Sequence, residues 1–482
     1  MRSAFLEELR RAVGDTGIIT RPEQLRTYEC DGLTNFRVPP LAVVLPASTA
    51  EVQAVVRACH QARIPFVARG SGTGLSGGAL PVEGGIVLSL ARLNRILEID
   101  IPNQRVVVEP GVINLEVSQQ VAADGCFYAP DPSSQSVCSI GGNVAENSGG
   151  AHCLKYGFTV THVTALEVVL PDGSLVHLGG EAPDAPGYDL AGVFIGSEGT
   201  LGVATKIALR LVRRPEVIRT LLAAFASADD AGAAVSAIIA AGILPAAIEM
   251  MDRLALDAAE AAVHAGYPDC QALLLVELDG PAAEVEAAAA RVQELCAVSG
   301  AGELRLARTE AERAAVWKGR KAAFAAVGRI SPNYIVQDGV IPRTALPRVL
   351  REIERLAADA GLRVANVFHA GDGNLHPLVL YDRKVPGQEA TAERLSGEIL
   401  TLCLRSGGSI TGEHGVGEEK KAFMSVMFAE PDLDTMQLVR EAFDPERLAN
   451  PGKIFPRPRL CGERPGIYLP DAPAVAGAAE AP

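Results

Sequence analysis

Residues 69–78 read RGSGTGLSGG, and they follow directly on PFVAR, a short apolar run that predicts a strand. Serial glycines after a strand let backbone N–H groups approach a phosphate with no Cβ in the way. The run contains a literal GxGxxG at Gly72, Gly74 and Gly77. A nicotinamide fingerprint needs a helix at once and an acidic residue on the next strand. Here the chain continues GGALPVEGGIV (77–87), which reads as turn and strand. A mobile surface loop would explain one glycine cluster. SIGGNVAENSGG (139–150) and GSEGTLG (196–202) are two more, and three clusters in one region predict a single large ligand lying across several loops.

Around these loops the text alternates strand and helix. LAVVLP (41–46) predicts a buried strand, and TAEVQAVVRACHQA (49–62) a helix capped by Thr49. GGIVLSL, RILEID and RVVVEPG (84–111) predict three strands, and NLEVSQQVAADG (114–125) a helix. HVTALEVVLPDGSLVHLG (162–179) predicts a hairpin turning at Pro171, Asp172 and Gly173. From Arg213 the pattern changes. Helices such as 229–242 and 283–300 alternate with strands AAIEMM, ALLLVELDG, RVANVFHA and LHPLVLYD, predicting helices beside a mainly antiparallel sheet. The expected layout is a helical lead (1–38), a ligand-binding domain (39–213), an α+β substrate domain (214–405), a segment returning to the ligand (406–460) and a disordered tail (461–482).

Composition narrows the function. The chain has 482 residues, 48% of them hydrophobic and 21% charged, which suits a well-packed globular protein. A net charge of -14 without basic stripes argues against nucleic acid. It also means that an anionic substrate must be held by local cations. The nine cysteines form no CxxC, so iron–sulfur and zinc-ribbon spacings are absent, and reduced thiols in a cytoplasmic protein are expected. The N-terminus lacks the apolar core of a signal peptide. Residues 231–248 carry no charge, yet Gly242 and Pro245 favour a buried helix followed by a strand over a membrane span.

HAGDGNLH (369–376) and GEHG (412–415) carry the chemistry. Gly371, Asp372, Gly373 and Asn374 predict a tight hairpin, which places His369 and His376 on neighbouring strands. With Glu413 they make two imidazoles and a carboxylate, a set that leaves open positions on a divalent ion. His414 adds a group with a near-neutral pKa. WKGRK (317–321) offers Arg320 to a carboxylate, with Lys321 beside it; a solvated basic helix face is the competing reading.

RGSGTGLSGGALP, PDPSSQSVCSIGGNVAENSGGAHCLKYG and FIGSEGTLGVATKIALRL resemble the FAD domain of the vanillyl-alcohol oxidase/p-cresol methylhydroxylase superfamily. WKGRKAAFAAVGRISP and RVANVFHAGDGNLHPLVLYD resemble its glycolate oxidase and D-lactate dehydrogenase branch. The resemblance implies an α+β fold: a two-part FAD domain, a ferredoxin-like substrate domain and a C-terminal helical segment. It implies non-covalent FAD held by Arg69, Gly70, Ser71, Gly72, Thr73, Gly74 and Leu75 around the pyrophosphate. Further contacts are implied at Pro130, Asp131, Ser133, Gly141, Gly142, Asn143, Ser148, Gly149, Gly150, Gly196, Glu198, Gly199, Thr200, Gly202 and Asn450.

The same resemblance makes His369, His376 and Glu413 ligands of zinc, manganese or iron, His414 the catalytic base and Arg320 the carboxylate anchor. The implied reaction is oxidation of a D-2-hydroxy acid to the 2-keto acid, with hydride passing to flavin. The apolar neighbours Phe324, Pro377 and Leu378 favour glycolate or D-lactate over D-2-hydroxyglutarate. An iron–sulfur subunit and a smaller FAD-domain subunit are implied partners, through which a cytoplasmic chain would reach the membrane. A free-standing D-lactate dehydrogenase, a D-2-hydroxyglutarate dehydrogenase and a non-catalytic FAD-binding scaffold subunit are the alternatives.

Overall fold

Among the described residues the chain crosses three large sheets in sequence, with a two-stranded ribbon (Cys126–Phe127 against Val212–Arg213) beside them, and the site lies where the large sheets meet. The structure is a computed structural model that describes residues 2–180, 182 and 187–456; the expected tail lies outside the described residues. The first sheet has the order Ile18–Ile19, Ala42–Val44, Ile86–Ser89, Phe66–Arg69. Its last three strands run parallel. The helix Thr49–Ala62 crosses between them and buries Val52, Val55, Val56 and Cys59. Its cap is Ser48, which accepts the Glu51 N–H, and not Thr49 as the sequence suggested. The Thr49 hydroxyl donates to Glu167 instead.

The second sheet is antiparallel, ordered Ile96–Asp100, Arg105–Val108, Val203–Arg210, Val163–Val169, Leu175–Gly179. The predicted hairpin is its last pair, turning at Gly173 with φ 84°. Between the sheets run the glycine loops. The passage 139–150 holds a short helix, Ile140–Glu146, whose cap Ser139 accepts the Gly142 N–H.

The third sheet has eight antiparallel strands, extending the expected ferredoxin-like plan. Helices cover both of its faces. Ala228–Ala240, Ala282–Val298, Leu346–Ala360 and Gln388–Arg405 lie on one side. Arg253–Val263 and Glu310–Val327 lie on the other. Double coverage explains why Ala272–Gly280 is a nearly unbroken apolar run and not an alternating one. Ala228–Ala240 followed by Ala247–Asp252 is the expected helix and strand. Among the described residues no helix is long and apolar enough to cross a membrane.

Candidate active site at the meeting of the sheets

The strand pair Arg363–His369 and Asn374–Tyr381 forms the predicted hairpin, with Val367 opposite His376 and His369 opposite Asn374. Opposed residues share a face and the side-chain period is two, so both imidazoles emerge on one side. Gly373 makes the turn with φ 80°, where a Cβ would lie 2.1 Å from the Ile341 carbonyl oxygen. On the adjacent strand Ala247–Asp252, Glu249 stands directly opposite His369.

That register builds a donor set. Nδ1 of His369 lies 2.8 Å from Glu249 Oε1, and Nδ1 of His376 lies 3.2 Å from the Gln337 carbonyl. Each Nδ1 therefore carries a proton, and the Nε2 atoms are the ones a metal would take. Burial lowers the His369 pKa, but Glu249 and Glu413 outweigh it and raise it, so an ion would displace the His369 Nε2 proton. The two Nε2 atoms converge on Glu413: Oε1 is 3.2 Å from His369 Nε2 and 3.0 Å from His376 Nε2. His376 Nε2 is buried and closes no hydrogen bond there. Two imidazole nitrogens and a carboxylate oxygen, within 4.8 Å of one another, fit a divalent ion. Burial raises the Glu413 pKa, but His369 and His376 outweigh it and hold the carboxyl well below its usual range.

His414 stacks on His376, with centroids 5.0 Å apart and an interplanar angle of 14°. Its Nε2 is 3.7 Å from Glu413 Oε1. Burial lowers its pKa to about 4 against the pull of Asp338, so the ring is neutral at pH 7 and able to accept a proton. Asp338, fully buried, shapes this loop. It accepts the Thr411 hydroxyl at 2.5 Å and the N–H groups of Gly412, Glu413 and His414 at 3.1, 3.2 and 2.9 Å. Lys420 Nζ is 3.3 Å away. Burial raises the Asp338 pKa, but Lys420, His414 and His376 outweigh it and keep the carboxylate ionised.

Glu413 and His414 form part of the wall of a cavity of about 680 Å³. Arg69 through Leu75, Ser133, Gly141, Gly142, Asn143, Ser148, Glu198, Gly199 and Gly202 line the same cavity. A glycine-lined cradle joined to an ionisable pocket is the shape a dinucleotide needs, and the residues present fit FAD. Seven expected contacts do not reach the wall. Asp131 is turned to His152, at 2.9 Å. The Thr200 hydroxyl donates to the Ser197 carbonyl. The Asn450 amide donates to the carbonyls of Gly78 and Glu198, tying loops together from behind. Gly149 backs Glu413, and Gly150 lies against Asp131. Pro130 accepts from Asn114, and Gly196 donates to the Val144 carbonyl.

Arg320 is buried, with Nη2 2.5 Å from Glu249 Oε2. It therefore stands behind the histidines, in the order Arg320, Glu249, His369, Glu413. Burial raises the Glu249 pKa, and Arg320 and His369 outweigh that to keep it ionised. Arg320 Nε is buried without an acceptor, while Lys321 lines the cavity. Phe324 also lines it, 5.8 Å from the His376 ring. Pro377 and Leu378 do not. The Pro377 carbonyl accepts the Gln337 N–H, and Leu378 lies in the core beneath Glu310–Val327, because residue 378 faces a helix-covered part of the sheet.

Glu249, Asp338 and Lys420 were not anticipated. Glu249 had a signal: a lone carboxylate inside the apolar strand AIEMM demands a buried partner. Asp338 and Lys420 had none, since their partnership depends on a loop more than seventy residues away in sequence.

Comparison with known proteins agrees with this architecture. The family described as "FAD binding domain" matches residues 40–179, and "FAD linked oxidases, C-terminal domain" matches 214–454. The chain is 52% identical over 469 residues to glycolate oxidase subunit GlcD of Escherichia coli K12, covering 97% of this chain and 94% of that protein. It is 33% identical to a D-lactate dehydrogenase of Anaerostipes hadrus, over 86% of this chain and 89% of that one. The fold is similar to that of p-cresol methylhydroxylase, with a TM-score of 0.79 at 18% identity, covering 94% of this chain and 96% of the other. The chain belongs to the FAD-linked oxidases, in the branch of the glycolate oxidase D subunits and D-lactate dehydrogenases.

Proposed function

We propose that this chain oxidises a short D-2-hydroxy acid, glycolate or D-lactate, to the 2-keto acid. The observation that carries this is the convergence of two Nε2 atoms and one carboxylate oxygen beside a neutral imidazole, on the wall of the FAD cradle. When bound, the ion supplies Lewis acidity to the hydroxyl and carboxylate, and FAD supplies the hydride acceptor. His369, His376 and Glu413 hold the ion, which is zinc, manganese or iron. Glu249 and the Gln337 carbonyl fix the two imidazoles in the tautomer that ligation requires. His414 takes the hydroxyl proton. Its surroundings keep it unprotonated at neutral pH.

The substrate carboxylate meets Lys321 at the wall, while Arg320, behind the histidines, fixes Glu249 and through it His369. Phe324 at the wall favours a short acid without a second carboxylate. The word "subunit" in the name of the 52% relative supports electron delivery to partner chains. The partners we propose are an iron–sulfur subunit and a smaller FAD-domain subunit, acting at the cytoplasmic side of a membrane. The test is anaerobic mixing of the flavin-loaded protein with a panel of D- and L-2-hydroxy acids. Bleaching of flavin absorbance by glycolate or D-lactate is expected. A panel that leaves the flavin oxidised throughout overturns the reading.

A further inference from the structure

The segment that carries His414 is held by its backbone, and its N–H groups divide between two domains. Gly412, Glu413 and His414 donate to Asp338 of the substrate domain. Gly415 donates to Thr411 Oγ1 within the loop. Val416 and Gly417 then donate to Glu198, one to each carboxylate oxygen, both at 2.7 Å. Glu418 and Glu419 donate to the Ser76 carbonyl, at 2.9 and 3.0 Å. Every N–H from 412 to 419 is thus accounted for, and His414 sits at the changeover from one domain's acceptor to the other's.

Glu198 belongs to GSEGTLG, a loop of the cofactor cradle. It is buried, yet it lines the cavity. Its backbone is left-handed, φ 52°, a conformation unfavourable for a non-glycine residue. The surroundings impose it: the Glu198 N–H donates to the Ala145 carbonyl, and its own carbonyl accepts the Asn450 amide at 2.6 Å. The approach is close. A Cβ at Gly415, where φ is 84°, would lie 2.9 Å from Glu198 Oε1 and nearer still to Glu146. A glycine here lets the loop lie flush against the carboxylate.

We propose that Glu198 is a positioning residue, whose carboxylate couples the filling of the FAD cradle to the placement of the His414 loop. The proposal rests on the reading of His414 as the base. Glu198 and Gly199 border the cofactor cavity while the Glu198 carboxylate holds the loop two to three residues beyond His414, so ordering one orders the other. A loop released at Val416 and Gly417 keeps its Asp338 anchor but loses the setting of the imidazole against the cavity. Displacement of a reacting group by about 1 Å costs up to ~100-fold in rate.

The experiment uses the full chain, loaded with FAD and stripped of it, as parent, Glu198→Ala and Glu198→Gln. Amide hydrogen exchange is read on peptides spanning 412–419. In the parent, stripping FAD is expected to speed exchange at 416–417 by roughly 10-fold, the loss of one to two hydrogen bonds. In Glu198→Ala exchange is fast with or without FAD, and Glu198→Gln, which keeps one acceptor, falls between. With bound FAD the flavin spectrum stays the same. The limiting rate of anaerobic flavin reduction falls about 10- to 100-fold, with the half-saturating acid concentration changing less than about 3-fold. Equal protection of 416–417 in parent and Glu198→Ala, or protection in the parent that ignores FAD, overturns the proposal. If Glu198→Ala does not fold, Glu198→Gln decides by the same readings. Absence of flavin reduction in the parent overturns the oxidation reading alone, and the exchange arm still decides the coupling.

Discussion

Replacing Asp338 by Asn leaves the shape of the side chain and removes its charge. The consequences follow from what surrounds it. Lys420 is fully buried, and among the described residues its ammonium donates to Asp338 Oδ2 and the Gly415 carbonyl, with the carboxyl groups of Glu146, Glu198 and Glu419 acting on it from farther away. Without the carboxylate the buried ammonium loses its one charged hydrogen-bond partner, which costs up to ~3–5 kcal/mol. With the amide oxygen kept at the Oδ2 position, where Gly412, Glu413 and His414 all donate, the Asn NH2 takes the Oδ1 position and the shorter Glu413 bond is lost at ~1 kcal/mol. At roughly 2–4 °C per kcal/mol for a domain of this size, the midpoint should fall on the order of 10 °C. Flavin fluorescence during a thermal ramp reads it, since bound flavin is released as the cradle opens. The double variant Asp338→Asn/Lys420→Met removes the stranded cation, and should recover ~1–3 kcal/mol relative to Asp338→Asn. A single variant melting within 2 °C of the parent (roughly 1 kcal/mol or less) would refute the account. So would a double variant no more stable than the single one.

His414→Ala should keep its FAD spectrum while anaerobic bleaching slows ~10²–10⁴-fold; equal bleaching rates remove His414 from the base role. His376→Ala should lower bound metal, measured by inductively coupled plasma analysis, because one Nε2 of the three-donor set is gone, and unchanged metal content would count against that set. His152 lies between Asp131 and Glu277, at 2.9 and 3.1 Å. Burial alone lowers its pKa, but the two carboxylates outweigh it and lift the pKa from 6.5 to about 10. A raised folded-state pKa gives stability that is complete below pH 6.5 and lost as pH rises through 10, worth ~5 kcal/mol at most. His152→Gln should flatten the fall in melting temperature between pH 7 and 10; parallel curves for parent and variant contradict this.

Local patterns carried much of the fold. The glycine clusters, the Pro-Asp-Gly hairpin and the helix 49–62 are all read from a few adjacent residues, because turn chemistry and periodicity are local. HAGDGNLH was legible for the same reason: the turn residues between the histidines dictate a hairpin, and the hairpin puts both rings on one face. What stayed hidden depends on contacts distant in sequence. Nothing in VQDGV predicts that Asp338 caps a loop at 411–414. Arg320 was read as facing substrate, and only the tertiary structure reveals that Glu249 holds it. The sequence offers Leu378 as an apolar neighbour of the site because it closely follows His376. The helix 310–327 covers that part of the sheet, and no pattern within the strand reports it.

The division of the His414 loop between two acceptors also sets a rule for recombining relatives. The loop is inherited with neither lobe alone: Asp338 belongs to one and Glu198 to the other. A chimera that exchanges residues 214–405 as a block brings a foreign residue 338 to a resident loop, and one that exchanges 406–456 brings a foreign loop to both acceptors. The productive crossover unit is therefore discontinuous. It comprises the loop together with positions 198, 338 and 420, and exchanges that respect it should keep turnover where block exchanges of similar length lose it.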